Sequence, residues 1–446
     1  MGYLLKSVDS VVKIFEDGGR IGWLGVLGLF SGWIVWIGMI KGLAVMLPTL
    51  QEQFNASTWL VGWMIAITEA SMEFSALFAS PLRDKFGVRV VVTVSGVLIG
   101  GSLIASSFAS SLYQIAILIT LFAGPAVGVT SVVTREMIGR HFRESLTIAL
   151  GLGGLGSSLA FVTMVPLTQF FLDAYGWRGT MLLLGAIFSH LGVCGALMKE
   201  PAVTRSYDEY QTVDVLEEPA VTGEGEADAP NSRCHSCLET VHSFFSKTFN
   251  ISLLSSTSFW LICLMMNIWM IMYTAWFIYF VPNTISKGFS LKEASTCVVI
   301  YGIGRLPASV TIGPLVRNIP AINNSGWLGI GLVTQCIYYL LDPWLITYWP
   351  IFWAAFIYGY FSAMLLLLFD VIVIGIFGAD QLGSVLGLIG PFAGLSRIFS
   401  LYFPGLIYDI LGSYTLAFTV MGGVQCLSVV ALLLLVWLQR RHPSGF

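Results

Sequence analysis

The chain of 446 residues is 56% hydrophobic and only 11% charged, with a net charge of −3. Soluble domains carry about 25% charged residues, so this composition excludes an ordinary water-soluble globule and points to a bilayer. The Lys and Arg residues form no basic face of the kind nucleic-acid binding requires, which excludes that class as well.

Residues 1–20 are polar and mixed in charge, without the short apolar core and small-residue cleavage site of a signal peptide. The first span is therefore expected to be its own insertion signal. Twelve apolar stretches follow, at about 22–50, 58–80, 90–109, 113–138, 147–171, 178–198, 257–282, 293–313, 324–341, 347–377, 384–407 and 414–438. They are too long for strands and lack dyad alternation, so the predicted fold class is all-α, with twelve transmembrane helices. Lys41 is the only charged residue between Ile21 and Leu50. A charge at the centre of a membrane helix costs about 2.5–3.5 kcal/mol on insertion scales, so it must be paired, hydrated in a cavity, or able to snorkel.

Lys and Arg in the loops set the predicted orientation. Lys6, Lys13, Arg20, Arg83, Lys85, Arg89, Arg140, Arg143, Lys199, Arg317, Arg440 and Arg441 fall on one side if the N-terminus is cytosolic. Arg178, Lys287 and Lys292 fall on the other. An even number of helices then places both termini in the cytosol. Residues 201–252 are polar and rich in Asp and Glu, and read as a disordered cytosolic linker between helical halves at 1–200 and 253–446. Asn55-Ala56-Ser57 is a glycosylation sequon in the first external loop.

Seven Cys residues are scattered. Cys234 and Cys237 have a tempting spacing, but a structural zinc site needs four ligands, so no metal or cofactor is expected. No phosphate-binding, zinc-protease or serine-hydrolase motif is present, which argues against an enzyme. Paired glycines such as Gly96 and Gly100, or Gly124 and Gly128, have the spacing that lets membrane helices approach closely, and Pro125, Pro166 and Pro307 are candidate kinks.

Several intramembrane residues carry chemistry. Glu69 and Glu73 are one helical turn apart on one face. They suit a proton or cationic group, or an ion pair with a base on a neighbouring helix. Arg135 and Glu136, near the cytosolic end of the fourth helix, read as gate contacts or as snorkelling side chains. Tyr301 lies one turn before Arg305 on the same face. Asp370 stands alone among apolar residues, as substrate contact or as a partner of Arg305. His190 reads as a packed histidine. Asn267, Tyr273, Trp276 and Tyr279 are candidates to line a cavity in the seventh helix.

Two six-helix halves around an acidic loop resemble the major facilitator superfamily. Arg83-Asp84-Lys85-Phe86-Gly87-Val88-Arg89 is similar to its Asp-Arg-x-Gly-Arg-Lys signature, in which Asp84 and the bases would lock cytosolic helix ends. Asp17-Gly18-Gly19-Arg20-Ile21-Gly22-Trp23 resembles the start of the first helix in the monocarboxylate transporter family. His141-Phe142-Arg143-Glu144-Ser145-Leu146 resembles that family's fifth-helix signature, and Tyr175-Gly176-Trp177-Arg178-Gly179 its turn into the sixth. The resemblance implies two pseudo-symmetric bundles and alternating access to a site near the midplane, and it makes the second and eleventh helices neighbours, so that Glu69 and Glu73 can pair with Arg397 in a structural or gating role. It places Lys41 at the family's first-helix lysine and Arg305 at its substrate arginine, a fork suited to a carboxylate. Where proton-coupled lactate carriers have Asp, this chain has Tyr301, and Asp370 then resembles the acid of members that carry amine-bearing carboxylates. The expected function is plasma-membrane carriage of a small organic monocarboxylate, with or without a proton. The alternatives are an aromatic or amine-bearing substrate moved without protons, and a receptor or scaffold that binds without translocating. Some family members require a single-span accessory glycoprotein.

Overall fold

The computed structural model describes residues 2–55, 58–198 and 250–441. Most of the predicted linker, Cys234 and Cys237, and Ala56-Ser57 of the sequon lie outside the described residues. The described chain is helical throughout. We number the helices α1 (Gly2–Phe54), α2 (Thr58–Ser75), α3 (Ala79–Ser107), α4 (Leu112–Leu118), α5 (Gly124–His141) and α6 (Leu146–Leu197) in the first half. The second half holds α7 (Thr257–Ser286), α8 (Leu291–Asn318), α9 (Asn324–Leu341), α10 (Tyr348–Phe377), α11 (Leu382–Leu411) and α12 (Tyr414–Arg441).

Among the described residues, nine continuous helical stretches are long and apolar enough to cross a membrane. Two of them contain two passes each. α6 turns at Gly176 (φ 66°), a backbone region that L side chains rarely adopt. Its two parts run along α1 in opposite directions: Gly38 meets Met164 and Phe188, while Gly42 meets Thr168 and Leu184. As α1 advances, the partner number rises in one part and falls in the other, so the chain reverses. α3 turns likewise at Gly87 (φ 80°). After Gly87 it runs against the last part of α6 through glycine-to-backbone contacts at Gly96–Gly192 and Gly100–Gly185. Counting these reversals and the less apolar α9, the described chain makes the twelve passes expected.

Pro125 explains the break between α4 and α5. It has no N–H to close an α-helical bond, and the five residues Ile119–Ala123 just before it form a π turn. The carbonyl of Pro125 accepts instead from Ser75 Oγ (3.0 Å), which joins this kink to α2. α8 begins with a capping box, in which Ser290 and Glu293 satisfy each other's backbone N–H groups.

Large apolar side chains face outward as well as inward: Val97, Leu121 and Leu433 are each more than 60% exposed. That is the pattern of helices solvated by hydrocarbon. The ends of the bundle differ. Arg83, Arg140 and Asp380 cluster at one end, which we call the basic end. Residues 40–47 of α1 and 273–278 of α7 border a cavity toward the opposite end.

Candidate functional site: a divided polar interior

The main cavity has a volume of about 420 Å³. Its walls come from both halves: Trp36, Ile40, Lys41 and Ala44 of α1, Ile65 and Glu69 of α2, Phe161 of α6, Tyr273 and Phe277 of α7, and Arg397 of α11. Lys41 therefore faces a cavity. Its ammonium lies 4.2 Å from the Phe277 ring centroid and 5.3 Å from that of Phe161. Ring faces are weak partners for a cation, and no carboxylate among the described residues lies within ion-pair distance of it.

Arg305 is 2% exposed, with its guanidinium 5.3 Å from the centroid of the same Phe161 ring. Nη1 donates to Tyr301 Oη (2.9 Å) and Nη2 to Ser157 Oγ (3.1 Å), while Nε has no partner. Both partners are neutral hydroxyls. Arg305 borders a second cavity of about 20 Å³, lined also by Ser157, Ser309, Arg135 and Asp370. That space is no larger than one water's share of the liquid, about 30 Å³. Phe161 thus lies close to both cations, while Lys41 borders the main cavity and Arg305 the smaller one.

The remaining predicted charges are committed to ion pairs, several of them between the halves. Arg397 Nη1 lies 3.2 Å from Glu69 Oε2 and Arg397 Nε lies 2.9 Å from Glu73 Oε1, so α11 is tied to α2. Asp370 does not pair with Arg305. Its partner is Arg135 Nη1, at 3.2 Å, which ties α10 to α5. The arginine reaches inward because Ser131 holds it twice, through its carbonyl (2.9 Å) and its hydroxyl (3.1 Å). Arg135 therefore points into the bundle and does not snorkel.

Glu136 is 1% exposed and contacts Arg83, with Arg140 Nη2 at 2.9 Å. Asp84 bonds Arg83 from the solvent side, and Arg140 Nε reaches Asp380 of the other half at 3.4 Å. Gly383, in the first turn of α11, approaches so closely that a β-carbon there would collide with Glu136 and Ser80. A carboxylate so placed also meets the positive end of a helix dipole. These contacts close the basic end. Gly139, packed toward Ile374 and Leu382, continues the closure with apolar side chains.

Asn267 lies away from this constellation. It donates to the Cys263 carbonyl (2.7 Å) and accepts from Ser396 (2.8 Å), so its amide joins α7 to α11 and lines none of these cavities. Trp276 is fully buried with its N–H on Tyr338 (2.8 Å), whereas Tyr273 lines the main cavity. Phe161, Phe277 and Ser157 were not singled out by the sequence. A Phe or Ser in an apolar span carries no signal that separates cavity from packing.

The chain matches the model of the Major Facilitator Superfamily over residues 24–334. It is 25% identical to monocarboxylate transporter 12 of Xenopus laevis over 94% of this chain and 89% of that one. It is 32% identical to human monocarboxylate transporter 1 over 43% of this chain and 39% of that one. The crystal structure of the human organic anion transporter MFSD10 has the same fold, with a TM-score of 0.68 at 14% identity, covering 93% of this chain and all of that one. With a family match over most of its length, twelve alternating passes and a polar interior between two halves, the chain is a multi-pass membrane protein that belongs to the Major Facilitator Superfamily of transporters.

Proposed function

We propose that the protein carries an organic monocarboxylate across the plasma membrane by alternating access, with both termini and the 201–252 linker in the cytosol. The observation that carries this reading is Arg305: a buried guanidinium whose bonded partners are two neutral hydroxyls. A buried cation without a counterion is costly, and a carboxylate is the ligand whose two oxygens match its fork. The similarity to monocarboxylate transporters supports the same substrate class. The conformation described, closed at the basic end and hollow toward the other, is one of the two states a rocking bundle needs. Lys41 would receive the anion from the main cavity, and Arg305 would hold it once the two spaces joined.

The intramembrane acids Glu69, Glu73, Glu136 and Asp370 are each held by an arginine, and Tyr301 fills the position where a proton-carrying acid was sought. These observations favour carriage driven by the substrate gradient over obligatory proton symport. Uptake in proteoliposomes tests both parts. Arg305→Ala at equal reconstitution is expected to lose at least 90% of carboxylate uptake, and uptake by the parent protein should not follow an imposed pH gradient. Unchanged uptake in the variant would remove the role assigned to Arg305.

A further inference from the structure

We infer that the substrate is a bulky, largely apolar monocarboxylate, not a short hydroxy acid; this rests on the carrier reading above and narrows it. The first ground is size. A three-carbon hydroxy acid has six non-hydrogen atoms and displaces on the order of three waters, ~90 Å³. The main cavity holds about 420 Å³, in the range of sites for ligands several times larger.

The second ground is the distribution of polarity around that space. Beyond Lys41, the walls include Ile37, Ile40, Leu47, Ile65 and Ile278, with Trp36, Tyr273 and Thr274 adding polar atoms. Of the remaining charges there, Arg397 bonds Glu69 at 3.2 Å and also Glu73 at 2.9 Å. A cation outside any ion pair in a mostly apolar chamber suits one carboxylate on a largely apolar body. A short acid bound to Lys41 would leave most of the chamber to water, which finds hydrogen-bond partners at Trp36, Tyr273 and Thr274 but none along the isoleucine and leucine walls.

The third ground is that Lys41 and Arg305 border separate spaces. In this conformation a short acid at Lys41 would gain one ion pair and little else. A larger ligand gains wall contact along its whole body. The Phe161 and Phe277 rings are nearly parallel, with centroids 5.3 Å apart, and offer an aromatic floor beside the ammonium.

Lactate and 3-phenyllactate share one head group and differ by a phenyl ring, which makes them suitable probes. Each is titrated against the full-length protein in lipid nanodiscs, with half-maximal thermal stabilisation as the readout. Burying the phenyl ring should make 3-phenyllactate bind about 10- to 100-fold more tightly. Lys41→Gln should weaken both ligands, and Ala44→Phe, which fills the chamber, should cut the preference below about threefold. If lactate binds as tightly as 3-phenyllactate, or the Ala44 variant keeps the full preference, the size inference is overturned while the carboxylate reading stands. If neither acid stabilises the protein at any soluble concentration, both are overturned.

Discussion

Arg397 donates to Glu73 across the interface between the two halves, Nε to Oε1 at 2.9 Å, with the arginine only 2% exposed. Glu69 completes the triad from one turn away on α2. Removing one member of such a buried set leaves the others charged and uncompensated, at a cost of about 3–5 kcal/mol. Arg397→Ala should therefore lower the thermal unfolding midpoint in nanodiscs far more than the neutral triple variant Arg397→Met with Glu69→Gln and Glu73→Gln. A triple variant as unstable as the single one would show that the triad stabilises through its own attraction.

Glu136 gathers Arg83 and Arg140 at the closed end. Charge-assisted bonds of this kind contribute about 1.5–3 kcal/mol each. Glu136→Gln should shift the population toward opening at the basic end. Gly139→Cys, buried beneath the cluster, reports this directly: maleimide labelling should speed up about tenfold or more in the Glu136→Gln background. An unchanged rate would place the closing free energy in the apolar layer instead.

Phe161 lies 5.3 Å from each of two cations, Lys41 and Arg305, that the family resemblance places in one site. Phe161→Ala should join the two compartments and expose Arg305. Phenylglyoxal modification of Arg305, followed by peptide mass spectrometry, should rise several-fold. If modification at Arg305 does not change, the ring is not the barrier.

The close glycine contacts offer a test of the fold itself. A β-carbon at Gly96 would meet the backbone of Gly192, whereas one at Gly101 meets nothing within 4 Å. Gly96→Val should destabilise by at least about 1–3 kcal/mol, the usual cost of overpacking, because a backbone cannot step aside. Gly101→Val should fold and resist heat nearly as the parent does. Equal yields and melting points for both would argue against the packing of α3 on α6.

Much of the site was legible as residue identity and little of it as partnership. Lys41, Arg305, Asp370 and the Glu69–Glu73 pair stood out because charge is conspicuous in an apolar span. Glu69, Glu73 and Arg397 meet as one of the two alternatives foresaw. Asp370 went to Arg135, because Ser131 turns that arginine inward, a local bond that no spacing reveals. Asn267 is polar in a span for the plain reason that it joins α7 to α11.

By itself the sequence determined membrane insertion, twelve passes and the positions of the intramembrane charges. Those follow from hydrocarbon thickness, the cost of unsatisfied backbone in lipid and the rarity of charge there, which are local properties of a stretch of chain. Only the tertiary structure decided which end is closed, which acid neutralises which base, and that Lys41 and Arg305 border separate cavities with a phenylalanine close to both. Those are contacts between helices distant in sequence. They are set by the angle and depth at which helices pack, and an apolar side chain gives no sign of them until its neighbours are in place.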